Sequence, residues 1–154
     1  MVILLVTGGS DRIEIIKENH KTEVCKNMPK YPIEVSSAAG SHWKDGKLSI
    51  CGGYDGSRTN NCYSLDNGQW KANINNLKAE RSVHGASNIG NNIWFTGGGG
   101  NNWEKLSSTE IMHHDGKITS GPNLPQGRSG HCQVSYGHTT LIIGKCIVVV
   151  KKKL

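Results

Sequence analysis

Histidine is the side chain best suited to metal binding or proton transfer near neutral pH, and two of the histidines recur in one pattern. His84 and His131 each follow an arginine by three residues, in the segments RSVHG and RSGHC. Because they hold equivalent places, we expect both to be structural, each hydrogen-bonded to the backbone of a neighbouring repeat. His113 and His114 precede Asp115 and could bind a metal ion, but Asp-Gly predicts a solvated hairpin tip there. We therefore expect no metal and no cofactor.

No pattern of catalytic residues appears elsewhere in the sequence. It contains no paired carboxylates, no nucleophile elbow and no phosphate-binding loop. The run GGGG at residues 97–100 lacks the Lys-Ser/Thr and the helix that a phosphate loop requires. The sequence therefore predicts a protein that is not an enzyme.

Two sets of residues are candidates for binding a partner. Arg81-Ser82 and Arg128-Ser129 begin the two R-S-x-H segments. The other set lies in two loops of unequal length, YDGSRTN (54–60) and GGNNWEKLS (99–107), and such loops on a constant scaffold are where recognition usually occurs. From these loops we select Asp55, Arg58, Asn102 and Trp103. Trp103 would be an interface anchor if it is exposed, or it folds back to cover a sheet.

An internal repeat determines which elements position these residues. An apolar run precedes a glycine at Gly8, Gly52, Gly97 and Gly144, so the period is 44, 45 and 47 residues. A second glycine follows at residues 9, 53 and 98, and Lys145 replaces it in the last copy. A double glycine ends a buried strand where the backbone turns sharply and closely approaches a neighbouring chain.

Each repeat predicts four short strands. A second apolar run covers residues 13–16, 62–65 and 109–112, and a tight turn such as Asp66-Asn67-Gly68 or Asp115-Gly116 follows it. A third run comes next, and a fourth begins at residues 36–40, 81–85 and 128–132. Units this small cannot bury their own faces and must stack on each other. The predicted repeats are about 3–47, 48–92 and 93–139, with the start of a fourth at 140–145.

This pattern resembles the kelch repeat, which forms one blade of a β-propeller. The middle copy has the family's double glycine, tyrosine and tryptophan in Gly52, Gly53, Tyr63 and Trp70. The first copy has Cys25 in place of the tryptophan. The resemblance implies an all-β fold, a partial kelch-type propeller at residues 1–145 with about three four-stranded antiparallel blades plus a stray strand. A divergent apolar and lysine-rich tail follows at 146–154. Another four-stranded β-repeat array is the alternative.

The resemblance also implies a function. Kelch domains often serve as the substrate-recognition part of ubiquitin-ligase adaptors or as actin-associated proteins. Residues at places similar to Arg81 and Arg128 face the ligand in the adaptors, where arginines could grip acidic side chains. The alternative is that each arginine only ties adjacent blades together. We expect a non-enzymatic module that binds another protein, with self-association through open faces also possible.

Two further interpretations stay open. One is a fragment of a kelch-type oxidase or lyase, suggested by Cys62 beside Tyr63, although neighbours on a strand point to opposite faces. The other is a truncated product without independent function, suggested by the abrupt end of the repeat after Gly144.

Composition limits the choice of partner and compartment. The net charge of +6 comes half from Lys151–Lys153, and no basic stripe with interleaved aromatic residues appears, so we expect no nucleic-acid binding. No apolar segment is long enough to span a membrane. The five cysteines are odd in number and irregularly spaced, which predicts free thiols in a reducing compartment and a cytoplasmic protein.

Overall fold

The structure is a computed structural model, and it describes residues 3–6, 13–16, 22–24, 29–43 and 45–145. These residues form thirteen β-strands and a single short 3-10 turn, Asn101–Trp103. The prediction of an all-β protein is therefore confirmed. The predicted glycine pair Gly8 and Gly9, Cys25 and the tail at 146–154 lie outside the described residues.

The strands form four antiparallel sheets in which consecutive strands pair. The first sheet contains β1 (Ile3–Val6), β2 (Ile13–Ile16) and β3 (Thr22–Val24). The second contains β4 (Ala39–His42), β5 (Leu48–Cys51), β6 (Cys62–Asp66) and β7 (Gln69–Ala72). The third contains β8 (Gly85–Ile89), β9 (Asn92–Thr96), β10 (Thr109–His113) and β11 (Ile118–Ser120). The fourth contains β12 (His131–Tyr136) and β13 (Thr139–Lys145).

The hydrogen-bonded sheets are out of phase with the sequence repeats. The fourth run of one repeat pairs with the strand before the next double glycine, as β4 does with β5 and β8 with β9. Each repeat therefore supplies the first strand of the following sheet. Because of this offset, the loops before β4, β8 and β12 lie at the same end of the sheets as the loops that follow the double glycines.

The double glycines turn the chain where two sheets meet. Gly53 and Gly98 have φ of +108° and +103°, a region that favours glycine. A Cβ on Gly53 would lie 2.7 Å from the carbonyl oxygen of Ser36, and one on Gly98 would lie 2.8 Å from that of Ser82. The predicted role of Gly52, Gly53, Gly97 and Gly98 at sharp turns with close approaches is confirmed.

The buried side chains form two clusters around these sheets. The larger one joins the second and third sheets and includes Trp43, Leu77 and Phe95. The smaller one centres on Tyr31, whose ring meets those of Tyr63 and Trp70 edge-on at 5.4 and 4.9 Å between centroids. The indole N–H of Trp70 also donates to the carbonyl oxygen of Pro29 at 3.1 Å. Tyr63 and Trp70 therefore hold the segment before β4 against the second sheet.

A disulfide overturns the prediction of free thiols. Cys51 and Cys62 face each other in the paired strands β5 and β6, and both are fully buried. Their sulfur atoms are bonded at 2.05 Å, and Cys132 is disulfide-bonded as well. Irregular spacing in the sequence could not show this bond, because strand pairing brings the two cysteines together across the loop at residues 52–61.

The fourth sheet differs from the second and third sheets. One of its faces contacts the third sheet through Gln133, whose amide donates to the Ser87 hydroxyl and the Trp94 carbonyl. The opposite face leaves large apolar side chains exposed, namely Val134, Tyr136, Leu141 and Ile143. Gly144 lies inside β13, and a Cβ there would meet no atom within 4 Å. The predicted structural role of Gly144 as a strand-ending turn is therefore wrong for this copy.

Candidate functional site: a groove between the sheet-end loops

Five loops meet at one end of the second, third and fourth sheets and enclose a groove of about 370 Å³. Three of them precede β4, β8 and β12, and two follow the double glycines. We call this the loop groove, and its lining is Ser36, Ser37, Tyr54, Arg58, Ser82, Val83, Gly99, Trp103, Lys105 and Ser129.

An aromatic side chain and a guanidinium dominate the loop groove. The guanidinium carbon of Arg58 lies 4.7 Å from the centroid of the Trp103 ring, a cation–π contact. Trp103 is 85% exposed even with this contact, and Tyr54 and Val83 beside it are also exposed. Large apolar groups left open to water beside a cation are typical of a binding surface.

The charge of the loop groove is positive. Arg58 and Lys105 line it, and no described residue contributes an acidic side chain to the lining. The Nε of Arg58 is buried and has no hydrogen-bond partner among the described residues. A guanidinium held by stacking but without an acceptor is suited to a carboxylate from outside the chain.

Backbone strain accompanies this surface. Asn102 and Trp103 have φ of +57° and +62°, and Val83 has φ of +54°. For a β-branched or bulky side chain this region costs free energy, on the order of 1–3 kcal/mol per residue. Such strain tends to occur at functional sites, and here it lies at Val83 and Trp103 of the loop groove and at Asn102 next to it.

Val83 belongs to a chain of hydrogen bonds that joins three sheets. The Val83 N–H donates to the Ser37 carbonyl at 2.9 Å, and the Gly130 N–H donates to the Val83 carbonyl at 2.9 Å. Ser37 and Gly130 also have positive φ, +57° and +66°. These three equivalent residues fix the first strands of the second, third and fourth sheets relative to each other.

Arg81 is not a partner-binding residue, and that prediction is wrong. Its side chain is fully buried in the third sheet. One Nη donates to the carbonyl oxygens of Gly97 and Ser108 at 2.8 and 3.2 Å. The other donates to Ser108 Oγ at 3.1 Å and to Glu110 Oε1 at 2.6 Å.

The backbone of Arg81 bonds to the second sheet. Its N–H donates to the Thr59 carbonyl at 3.2 Å, and its carbonyl accepts from the Gly53 N–H at 2.8 Å. Arg81 therefore ties two adjacent sheets together, which was the structural alternative. An isolated sequence could not settle this, because the acceptor Glu110 lies 29 residues away on another strand.

The remaining predicted residues fall in different places. Arg58 and Trp103, with Ser82 and Ser129, line the loop groove. Asn102 precedes Trp103 in the same turn but is not part of the lining. Asp55 accepts from the N–H of Ser57 at 3.4 Å inside its own loop, and it too lies outside the lining. Arg128 is partly buried at the start of the fourth sheet and does not line the loop groove.

Sequence reasoning did not select Tyr54, Val83, Ser36, Ser37 or Lys105 as site residues. Tyr54 directly follows a double glycine, and Val83 is the variable residue of its R-S-x-H segment. In the structure Ser37 and Val83 are equivalent, because each follows a serine that pairs with the residue after a double glycine, whereas the sequence alignment of 36–40 with 81–85 sets Ser37 opposite Ser82. Exposure of these positions depends on how the sheets stack and could not be read from the repeat.

His84 and His131 are both buried, as a structural role requires, but the predicted bond to a neighbouring backbone is seen only as a contact of His84 with the backbone of Cys51. The His84 ring is buried against Gly52, and neither of its nitrogens makes a hydrogen bond of good geometry to a described residue. Burial, with smaller contributions from Arg81 and His131, lowers the pKa of His84 to about 3. His131 Nε2 instead contacts the Thr96 hydroxyl at 2.9 Å, and burial followed by Arg128 lowers its pKa.

The histidines at the β10–β11 turn behave as predicted for a solvated hairpin tip. His114 is exposed, and its Nε2 lies 2.8 Å from Asp45 Oδ2 in the β4–β5 turn of the second sheet. This hydrogen bond is the main reason that the pKa of Asp45 is lowered. His113 Nε2 contacts the Thr119 hydroxyl at 2.8 Å. Both histidines therefore hold turns in place.

Within the described residues, no group of three or more His, Cys, Asp or Glu is arranged to hold a metal ion. The described part of the chain also contains no helix of sufficient length and apolarity to cross a membrane.

The chain resembles solved structures in fold. No protein-family model and no curated protein matches its sequence. One solved structure similar to it is that of YjhT, with a TM-score of 0.71 and 18% sequence identity over 90% of this chain. The match covers 46% of the YjhT chain, so this chain spans about half the length of that neighbour. At this identity the likeness is one of fold.

Proposed function

We propose that this chain is a non-enzymatic protein-binding module built as part of a kelch-type β-propeller, and that it binds a partner segment in the loop groove. The observation that carries this proposal is Trp103, 85% exposed on a strained backbone and stacked by Arg58. A tryptophan and an arginine are the residues that most often dominate the energy of a protein interface. The repeat, the four-stranded sheets and the likeness to YjhT in fold support the propeller part of the proposal.

The partner segment is expected to combine an acidic side chain with an apolar one. Its carboxylate would meet Arg58 and Lys105, and serine hydroxyls of the lining would donate to it. Its apolar side chain would cover Trp103, Tyr54 and Val83 and remove them from water. The roles in ubiquitin ligation and actin association stay predictions of the family resemblance.

Cys62, the residue that suggested an oxidase, argues against that alternative. Cys62 forms a disulfide with Cys51, so its sulfur is not free to join a tyrosine. Metal analysis of the purified chain tests this directly, since an oxidase of that type requires copper. Stoichiometric copper would overturn the non-enzymatic proposal.

The cytoplasmic location stays a prediction, and the cysteines no longer support it. Disulfides form and persist mainly in oxidising compartments. The bond between Cys51 and Cys62 therefore removes the argument from free thiols.

Selection from a random peptide library displayed on phage tests the binding proposal. The wild-type chain is the bait, and each selected peptide is then measured against Trp103→Ala, Arg58→Gln and the control Ile74→Ala. Ile74 is 95% exposed and lies outside the loop groove. We expect acidic-apolar peptides that lose at least about tenfold in affinity with the first two variants only. Peptides that bind all variants equally would overturn the loop groove as the site.

A further inference from the structure

The two cations of the loop groove come from equivalent places in successive repeats. Arg58 forms an antiparallel bridge with Tyr54, the residue that follows one double glycine, and Lys105 forms the same bridge with Gly99, which follows the next. The residue after each cation donates its N–H to the carbonyl of the second glycine of that pair, at 3.1 and 2.8 Å. The fold therefore brings one cation from each of two neighbouring repeats to the same groove.

Gly99 leaves a space where its counterpart Tyr54 has a side chain. A Cβ at Gly99 would lie 3.5 Å from both the Nε and an Nη of Arg58, and 3.8 Å from the Oγ of Ser82. Apart from the chain neighbours of Gly99, these are the three nearest heavy atoms, and each of them can donate a hydrogen bond. The guanidinium of Arg58 thus lies over Gly99 and stacks on Trp103. Donors from two loops therefore surround one small space at Gly99.

The charges around this space favour a doubly charged anion. Arg58 and Lys105 both line the loop groove and carry two positive charges. The carboxylate of Glu104 lies on the other side of the loop, with an oxygen 3.0 Å from the Cβ position of Gly100. A partner carboxylate brings one negative charge, whereas a phosphate monoester brings about −1.5 to −2 and three strong acceptor oxygens. Two cations and a hydroxyl therefore match a phosphate better than a carboxylate.

We propose that the acidic group of the partner segment is a phosphorylated serine or threonine whose phosphate lies against Gly99. This inference rests on the proposed function, because it names the chemical group that the loop groove takes. The phosphate oxygens would accept from the guanidinium of Arg58 and the hydroxyl of Ser82, and the ammonium of Lys105 would supply the second positive charge. Arginine clusters recognise phosphorylated segments in this way, because the planar guanidinium fits the phosphate oxygens.

Three labelled forms of one selected acidic-apolar peptide test the proposal. They carry glutamate, phosphoserine or serine at the acidic position, and fluorescence anisotropy measures their affinity for the full-length chain. We expect the phosphoserine form to bind at least about tenfold more tightly than the glutamate form, because the second negative charge strengthens its hydrogen bonds to the two cations. The serine form should bind most weakly. Lys105→Gln should weaken the phosphoserine form more than the glutamate form, since it removes the second cation.

Gly99→Ala tests where the phosphate lies. The φ of Gly99 is not positive, so alanine fits the backbone, and its Cβ would make ordinary contacts with Arg58. The methyl group would fill the space at Gly99, so the phosphoserine form should lose more affinity than the serine form. Gly144→Ala is the matched control, because a Cβ there would meet no atom within 4 Å, and it should leave all three affinities unchanged. Equal losses for the phosphoserine and serine forms with Gly99→Ala would overturn the placement.

Trp103→Ala distinguishes failure of this inference from failure of the proposed function. If it weakens all three forms while phosphoserine and glutamate bind wild type equally, the loop groove is the binding site and the phosphate proposal is wrong. If it weakens none of them, the proposed function fails and the phosphate proposal fails with it. Inorganic phosphate that displaces the phosphoserine form at the peptide's own concentration would show that the groove takes a free anion, and it would overturn the assignment to a phosphorylated segment.

Discussion

Replacing Glu110 with glutamine should remove most of the free energy of unfolding of this chain. Glu110 is almost fully buried, and its carboxylate accepts from Arg81, from the Lys78 N–H at 2.5 Å and from the Ala79 N–H at 3.1 Å. The substitution keeps the shape and removes the charge, so Arg81 becomes a buried cation with no counter-ion. Breaking a buried ion pair in this way costs about 3–5 kcal/mol.

A surface pair in the same molecule provides the matched control. Lys71 and Asp66 lie 3.3 Å apart with side chains 57% and 43% exposed. An exposed pair contributes only about 0–1 kcal/mol, so Asp66→Asn should change little. The two substitutions remove the same kind of group and differ in burial.

Urea unfolding followed by tryptophan fluorescence measures both effects, because Trp43 is buried in the core. With a slope of about 1.5 kcal/mol per molar urea, the loss for Glu110→Gln corresponds to a midpoint lower by about 2 M or more. If that variant does not fold, the double variant Arg81→Met/Glu110→Leu should recover the fold, since an apolar pair leaves no unpaired charge. Equal losses for Glu110→Gln and Asp66→Asn would refute the reasoning.

Three further predictions use the same unfolding assay. Val83→Gly should raise the free energy of unfolding by about 1 kcal/mol, because relief of the strained φ outweighs the added entropy of the unfolded chain. A loss of stability would show that the φ of Val83 is not strained. Replacing both Cys51 and Cys62 with alanine should lower the free energy of unfolding by about 3 kcal/mol, because the disulfide closes a loop between residues 11 positions apart. An unchanged free energy of unfolding would show that the disulfide does not constrain the unfolded chain. The pKa of His84 is about 3 when folded and 6.5 when unfolded, so protons bind the unfolded chain preferentially as pH falls from 6.5 towards 3. Stability should therefore fall by at most about 1.4 kcal/mol per pH unit in that window, and His84→Gln should flatten the slope; an unchanged slope in that variant would contradict the assignment.

The repeat made the strands and turns predictable from the sequence. Asn67 and Gly68 both have positive φ at the tip between β6 and β7, as Asn-Gly predicts. Gly53 and Gly98 have positive φ at the turns that the double glycines predicted. These features depend on local chemistry, and local chemistry is what a single sequence displays.

Contacts between distant strands could not be predicted in the same way. The two R-S-x-H arginines look identical in sequence, yet Arg81 pairs with Glu110, whereas Arg128 pairs with no acidic side chain in the part of the chain that the structure describes. The acceptor Glu110 lies on β10, and such a long-range pairing cannot be seen in the local sequence around either arginine. The disulfide between Cys51 and Cys62 likewise depends on the pairing of β5 with β6.

The loop groove was predicted in part. Trp103 and Arg58 were candidates because of their loops, and their stacking required the structure. Tyr54 and Val83 complete the exposed surface, and only the stacking of the sheets shows that they lie beside Trp103. Loops of variable length indicated the correct end of the molecule but not the full set of residues.

Calorimetric titration of one selected acidic-apolar peptide into wild type, Trp103→Ala and Ile74→Ala tests the central claim most directly. If the loop groove binds the partner segment, Trp103→Ala weakens the peptide by at least about tenfold, or 1.4 kcal/mol, and Ile74→Ala leaves its affinity unchanged. Equal affinity for all three chains would contradict the claim that this groove is the site of recognition.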